Sequence, residues 1–326
     1  MNGAGGDTLE EMRNAQGLAN IPVERLNRVN ADIWPRLAES NDDFQIRVAN
    51  AIFIDGSVPF EQAFLDLNAR FYGAELQSLD FKNPAAVPDI NDWSSKATNG
   101  KIPKIVDDLQ GQMILCNAIY FNAKWVAEFD EDGTRDRPFT TPNGSKETVK
   151  MMYRMGTVPY VETPELQAIR MAYKGGKSSM VVVLPKAEFG RVLDSLDAKN
   201  WAELCASLKP ALGHINLPKF TTRFAADLKP ALQALGMKRP FEINADFQAI
   251  YKLDPVFINR VIHKTFIDVA EKGTEAAAVT AVEMKVGSAP MEPERPFQFN
   301  ADRPFIYAIV DDETGLIIFL GTFVGS

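Results

Sequence analysis

Hydrophobic residues change their spacing along the chain, and the change divides it into regions. Through the first third the pattern reads as helices. Thr8-Leu9-Glu10-Glu11 has the form of a capping box, in which the Thr8 hydroxyl accepts from the backbone NH three residues on and Glu11 reaches back, so a helix is expected to start there. Another is expected to open at Asp89 behind Pro88, to carry Ile90, Trp93 and Ala97 on one face, and to stop at Asn99-Gly100.

From Met113 the helical period is lost. Residues 113–121 are nearly all apolar, the mark of a strand buried on both faces in the middle of a sheet, and Asn117 inside it demands hydrogen-bond partners. Residues 166–173 and 179–184 flank Lys174-Gly175-Gly176-Lys177-Ser178, a β-hairpin with a glycine turn. Residues 214–220 read as a strand, 225–235 as a helix closed by Gly236, and 261–269 as a strand whose two-residue period sets Val261, His263, Thr265, Ile267 and Val269 on one face. His263 is therefore expected to point inward. Residues 305–310 and 316–323 form a second buried hairpin across Asp311-Asp312-Glu313-Thr314-Gly315. With no repeat and no Pro/Gly-rich linker, helices and strands intermix in one α+β domain over residues 1–326.

Composition removes several functions. Hydrophobic residues make up 46% of the chain, enough for a large core, while 35 Lys+Arg against 43 Asp+Glu give a formal charge of −8. That balance supplies no global field to hold nucleic acid or an anionic membrane. Two histidines and two cysteines permit neither a three-His zinc site nor a Cys-x-x-Cys pair, so no metal or other cofactor is expected. Cys116 and Cys205 read as small buried hydrophobes rather than bridge partners. Apolar runs fall short of the roughly 20 residues of a membrane span. Met1-Asn2-Gly3-Ala4-Gly5-Gly6 has neither the basic nor the apolar segment of a secretory signal, which leaves the compartment open.

Enzyme motifs fail in turn. Gly176-Lys177-Ser178 has the ending of a phosphate-binding loop, but Met171 stands where the earlier glycine belongs and the stretch is a hairpin turn. Neither Gly-x-Ser-x-Gly nor His-Glu-x-x-His occurs. His214 and His263 lie in strands, where a hydrogen-bonded core histidine is favoured over a catalytic base. Asn143-Gly144-Ser145 has the form of a glycosylation acceptor, a pattern common by chance.

One long stretch, from Glu271 to Pro304, fits no ordinary element. Alternate residues Thr274, Ala276, Ala278, Thr280 and Val282 are small or β-branched and uncharged, while the interleaved set Glu275, Ala277, Val279, Ala281 and Glu283 carries the charges. As a strand it has one face fit for burial and one for water; as a helix it would be alanine-rich, against β-branched Val279, Thr280 and Val282 and the flanking prolines. No proline interrupts it before Pro290, so every NH from Thr274 to Ala289 is free to join a ladder, and Gly273 just ahead suits a hinge.

These residues resemble the serpins. Glu271-Lys272-Gly273-Thr274-Glu275-Ala276-Ala277-Ala278 is similar to the serpin hinge, and Ala301-Asp302-Arg303-Pro304-Phe305 to the segment that re-enters the body after the reactive-centre loop, here about residues 271–298. Residues 117–125 are similar to the family's central strand and its tryptophan, residues 90–102 to the helix across the central sheet, residues 149–152 to the segment after it, and Leu217-Pro218-Lys219-Phe220 to a neighbouring strand. The resemblance implies an α+β serpin fold with three β-sheets, surrounding helices and an exposed reactive-centre loop.

It also implies a function without catalysis. A serine-type endopeptidase would attack the loop as substrate and be held in a covalent complex when the freed loop inserts as a new central strand. Insertion makes about a dozen ladder hydrogen bonds at ~0.5–1.5 kcal/mol net each, so about 10 kcal/mol is available, provided the inward face carries no charge. Thr274, Ala276 and Ala278 meet that condition. A non-inhibitory carrier or chaperone and a cysteine-protease inhibitor are the alternatives.

Residue by residue, the resemblance pairs Asn117 with His263 beneath the point where the sheet parts, and places Trp125, Lys219 and Glu271 at its entry with a Lys219–Glu271 salt bridge. The resemblance, at the family's usual spacing from the hinge, implies a cleaved bond at Gly287–Ser288, with Met284, Lys285 and Val286 as alternatives that would change the target protease. Residues 1–6 match the end of the family's second helix, so the elements before it are missing from the match. A monomer is implied, and an extracellular location is favoured by the family alone.

Overall fold

The computed structural model describes residues 1–37, 40–56, 60–175, 177–252, 255–274 and 295–325. In chain order the first half comprises α1 (Gly6–Ala15), α2 (Val23–Leu37), β1 (Ser40–Asn41), β2 (Phe44–Asp55), α3 (Gln62–Tyr72), β3 (Ala74–Leu79), α4 (Ala86–Ala97), β4 (Met113–Lys124), β5 (Asp130–Thr140) and β6 (Lys146–Glu162). There follow β7 (Leu166–Ala172), β8 (Ser178–Pro185), α5 (Phe189–Ser195), α6 (Ala198–Ser207), β9 (Lys209–Pro218), β10 (Phe220–Asp227) and α7 (Lys229–Ala234). A 3-10 turn (Arg239–Phe241) leads to β11 (Arg260–Ala270), β12 (Gly273–Thr274), β13 (Phe297–Asn300), β14 (Phe305–Asp311) and β15 (Ile317–Phe323).

These elements fall into two units. The first holds Met1–Asn41, Gln45–Phe121 and Thr222–Ile267. Its central strand β4 is buried on both faces, as its unbroken apolar run requires. Met113 packs with Met12, Ile54, Phe64 and Phe247 on one side, whereas Ile114, Cys116, Ala118 and Tyr120 pack with Phe53, Ile90 and Ile262 on the other. Burial pushes the Cys116 thiol up to about 12, and both cysteines are free, as expected of residues used for packing. β4 and β11 run parallel as direct neighbours, in register from Arg260↔Ile114 to Phe266↔Tyr120.

The second unit holds Asp42–Phe44, Asn122–Thr221 and Asp268–Ser326. Every residue of β8 and β14 is buried, and these strands pair with each other and with β7 and β15, so both predicted hairpins form. Where three sheets are expected, the described strands make two continuous ladders. The reason is β6, whose 17 residues pair with β5, β9 and β7 in succession and leave no break.

Four local expectations are corrected. The capping box does not form: Gly5 is the N-cap of α1, and Thr8 lies inside the helix, where its hydroxyl accepts from Asp246 N at 2.9 Å. Glu11 instead accepts from the backbone NH groups of Lys238 and Arg239, capping the 3-10 turn, so tertiary donors outcompete local ones. α4 begins at Ala86 rather than Asp89, because Pro88 fits a first turn whose NH groups have no intrahelical partner anyway; its end at Asn99 (φ 51°) and Gly100 (φ 77°) is as predicted. Residues 225–227 extend β10, and α7 starts only at Lys229, where Pro230 suits the first turn. Residues 1–5 form a turn before α1, not the end of a helix.

Candidate functional site

Within the second unit the hinge is built around Trp125. Its indole is 1% exposed, stacks on Tyr173 with ring centroids 4.4 Å apart, and donates from Nε1 to Ala270 O at 2.9 Å. The backbone NH groups of Trp125 and Phe129 donate to Lys272 O and Glu271 O, so the chain leaving β4 holds the chain leaving β11. β12 then enters between those two strand ends. Gly273 and Thr274 pair antiparallel with Lys124 and Ala123 on one side and with Ala270 and Val269 on the other.

Each residue of β12 meets a specific demand. A Cβ at Gly273 would lie 2.2 Å from Ala123 O and 2.5 Å from Lys124 Cα, so backbone contact excludes any side chain there. Thr274 is fully buried, and its Oγ1 lies 2.8 Å from the Tyr173 hydroxyl, whose acidity burial suppresses strongly. Behind the hinge, Glu271 Oε2 accepts from Lys219 Nζ at 3.0 Å and Oε1 accepts from Thr134 Oγ1 at 2.9 Å. Burial raises the pKa of the Glu271 carboxyl, but donation from backbone NH, Lys219 and Thr134 outweighs it and holds the pKa below its usual range.

In the first unit, Asn117 and His263 are register partners on β4 and β11. His263 Nδ1 lies 2.7 Å from Asn117 Oδ1, and Asn117 Nδ2 donates to Asn50 Oδ1 at 2.7 Å. Because the Asn117 amide gives its NH to Asn50, its oxygen faces the imidazole and Nδ1 is the donor. Desolvation lowers the His263 pKa, which favours that neutral ring. Asn50, on β2, also donates to Tyr72 O at 3.2 Å. Neither Asn50 nor Tyr173 was marked by any motif; the demand of Asn117 for partners was the one signal pointing to the former.

Trp125, Lys219, Glu271, Gly273 and Thr274 thus come together in one unit, and Asn117 and His263 bond in the other. Glu275, Ala276, Ala277, Ala278, Met284, Lys285, Val286, Gly287 and Ser288 lie outside the described residues. The described residues at the two ends of the expected loop 271–298 are built into the sheets. Glu271, Gly273 and Thr274 are buried rather than exposed, and Phe297–Asn300 is a strand parallel to β9. Phe297 stacks on Tyr160 at 3.8 Å over Gly213, a position with no side chain to block it.

A family model described as "Serpin (serine protease inhibitor)" matches residues 1–325. The chain is 36% identical over 324 residues to an uncharacterised serpin-like protein of Thermococcus kodakarensis, covering 98% of this chain and 75% of that protein. It is 33% identical over 320 residues to the leukocyte elastase inhibitor of Equus caballus, covering 92% and 81%. Among solved structures, the native state of the thermophilic serpin tengpin superposes with a TM-score of 0.90 at 30% identity over 100% of this chain and 84% of that one. Human thyroxine-binding globulin with thyroxine superposes with a TM-score of 0.91 at 27% identity, over 99% and 87%.

Proposed function

The chain belongs to the serpin family, and from that premise we propose that it inhibits serine-type endopeptidases as a suicide substrate. The observation that carries this reading is β12. Gly273 and Thr274, near the start of the loop segment, already form a strand with β4 on one side and β11 on the other, and Thr274 presents a small uncharged side chain to a buried hydroxyl. A strand begun in this way extends by adding residues of the same pattern, and Ala276 and Ala278 continue the uncharged face.

In this mechanism the protease serine attacks the loop carbonyl and the peptide bond breaks, leaving an acyl-enzyme on the amino-terminal side of the cut. That side then continues β12 along β4 and β11. The direct β4–β11 ladder must part to admit it, and the Asn117–His263 bond with it. Each broken ladder bond is replaced by bonds on both edges of the new strand, so the exchange gains about one bond per step at ~0.5–1.5 kcal/mol net. We place the cleaved bond at Gly287–Ser288.

Thyroxine-binding globulin shares the fold, so the fold alone does not select inhibition over carriage. The hinge favours inhibition: a carrier has no need of an uncharged alternating face, and a charge at Thr274, Ala276 or Ala278, or a proline within that stretch, would have opposed insertion. The test is incubation with trypsin-, elastase- and chymotrypsin-type serine proteases and a papain-type cysteine protease, followed by denaturing electrophoresis. A covalent band with a serine protease is expected, and mass spectrometry of the released peptide should report Ser288 as its first residue. Complete cleavage with no such band by any serine protease contradicts the proposal, and a band with the cysteine protease alone reassigns the target class.

A further inference from the structure

The Asn117–His263 bond is the last link of a longer hydrogen-bond chain in the first unit, which starts at the end of α3. Tyr72 is the final residue of that helix, so its carbonyl has no intrahelical donor. Gly73 follows in the left-handed region (φ 55°) and turns the chain straight into β3, where Ala74 lies opposite Asn50 of β2. This brings the Tyr72 carbonyl beside the Asn50 side chain, which donates to it from Nδ2 at 3.2 Å. The anchor is itself held, since the Tyr72 hydroxyl donates to Asn27 Oδ1 at 2.9 Å.

A backbone carbonyl can only accept, and that fixes every bond downstream. Asn50 must turn its NH2 to Tyr72, which leaves its oxygen for Asn117. Asn117 must then give Nδ2 to Asn50 at 2.7 Å, which leaves its own oxygen for His263. His263 meets that oxygen at 2.7 Å only with its proton on Nδ1. Packing does not impose this order: an amide has nearly the same shape either way round, and all three side chains line a cavity of about 360 Å³. Asn68 lines the same cavity but is not a link, since its Nδ2 donates to Phe64 O of its own helix at 2.7 Å.

We propose that Asn50 is a positioning residue for the opening of the sheet: by tying Asn117 to the fixed end of α3, it sets the polarity of the Asn117–His263 bond and, with it, how readily β4 and β11 part. The inference deepens the inhibitory reading, in which that ladder must open to admit the loop. Without Asn50 the Asn117 amide is free to reverse. Its NH2 then faces the imidazole, and the His263 proton moves to Nε2 so that Nδ1 can accept.

Two measurements on the intact full chain test it. Side-chain nitrogen NMR, at a pH where the ring is neutral, reads the His263 tautomer, and His214→Gln assigns the signals of the two histidines. Hydrogen exchange of the amides in residues 114–120 and 260–266 reads the parting of the strands. The parent is expected to show Nδ1–H. Asn50→Ala is expected to move a large share of the rings to Nε2–H and to speed exchange across the β4–β11 ladder by about fivefold, the factor for one hydrogen bond, with β8 and β14 unchanged. Asn50→Asp keeps an oxygen toward Asn117 and should keep the Nδ1–H ring, which guards against failure of the alanine variant to fold. Asn68→Ala, a truncation of equal size on the same cavity wall, should leave the tautomer at its parent value. An unchanged tautomer in Asn50→Ala, or the same change in Asn68→Ala, overturns the positioning role; a changed tautomer with unchanged exchange overturns its hold on the sheet. Neither readout uses a protease, so a chain that gives both expected results but forms no covalent complex with any serine protease rejects the inhibitory reading and keeps this one.

Discussion

Thr274→Arg is expected to turn the proposed inhibitor into a plain substrate: the loop is still cut, and the covalent band disappears from the gel. The Thr274 side chain is fully enclosed in β12, with its hydroxyl on the buried hydroxyl of Tyr173. A guanidinium at that point must either be desolvated without a partner, at a cost of several kcal/mol, or keep the first residue of the new strand out of the sheet. Insertion competes with hydrolysis of the acyl-enzyme, so about 3 kcal/mol on the insertion barrier lowers the yield of complex by about 100-fold. Thr274→Ser keeps a small side chain and the hydroxyl contact, and should retain most of the complex. Loss of complex in the serine variant as well would show that the position acts through something other than burial of charge.

The largest loss of stability is expected from Trp125→Ala. The substitution removes a fully packed indole, its stack on Tyr173 at 4.4 Å and the bond to Ala270 O, and leaves that carbonyl without its donor. Deleting a buried Trp side chain costs ~3–5 kcal/mol, most of it the cavity left behind. Trp125→Phe keeps an aromatic face for Tyr173 but not the Nε1 donor, and should cost about 1–3 kcal/mol, the range for a buried acceptor left unsatisfied. Urea unfolding midpoints of the three proteins give the comparison. A Trp125→Ala midpoint equal to that of the parent would mean that the stack contributes no stability to the entry of β12.

What could be read beforehand follows from where the physics is local. The strand at 113–121 was legible because burial on both faces removes polar residues from the sequence itself, and the hairpins at 166–185 and 305–323 because turn residues separate two apolar runs. The capping box was misread because Thr8 and Glu11 take their partners from Asp246, Lys238 and Arg239, more than 200 residues along the chain. Residues 225–227 were read as helix because alanine carries little preference once a neighbouring strand offers a ladder.

At the site, alternation alone marked Thr274 as an inward residue, and the structure buries it. Pairing of Lys219 with Glu271 was implied by family resemblance, since nothing in the spacing of residues 52 apart suggests it. Asn50 stayed hidden: an asparagine in a mixed stretch is ordinary until the fold sets it 2.7 Å from Asn117.

The central claim is that cleavage releases free energy by letting the loop continue β12 through the sheet. Its most direct measure is the thermal unfolding midpoint of the intact protein against that of the same protein nicked once in the loop. Insertion of about a dozen residues, with one ladder bond gained at each, predicts a midpoint higher by tens of degrees, from about 10 kcal/mol of added stability at a few degrees per kcal/mol. A nicked protein that unfolds at the same temperature as the intact one, or below it, would contradict the account.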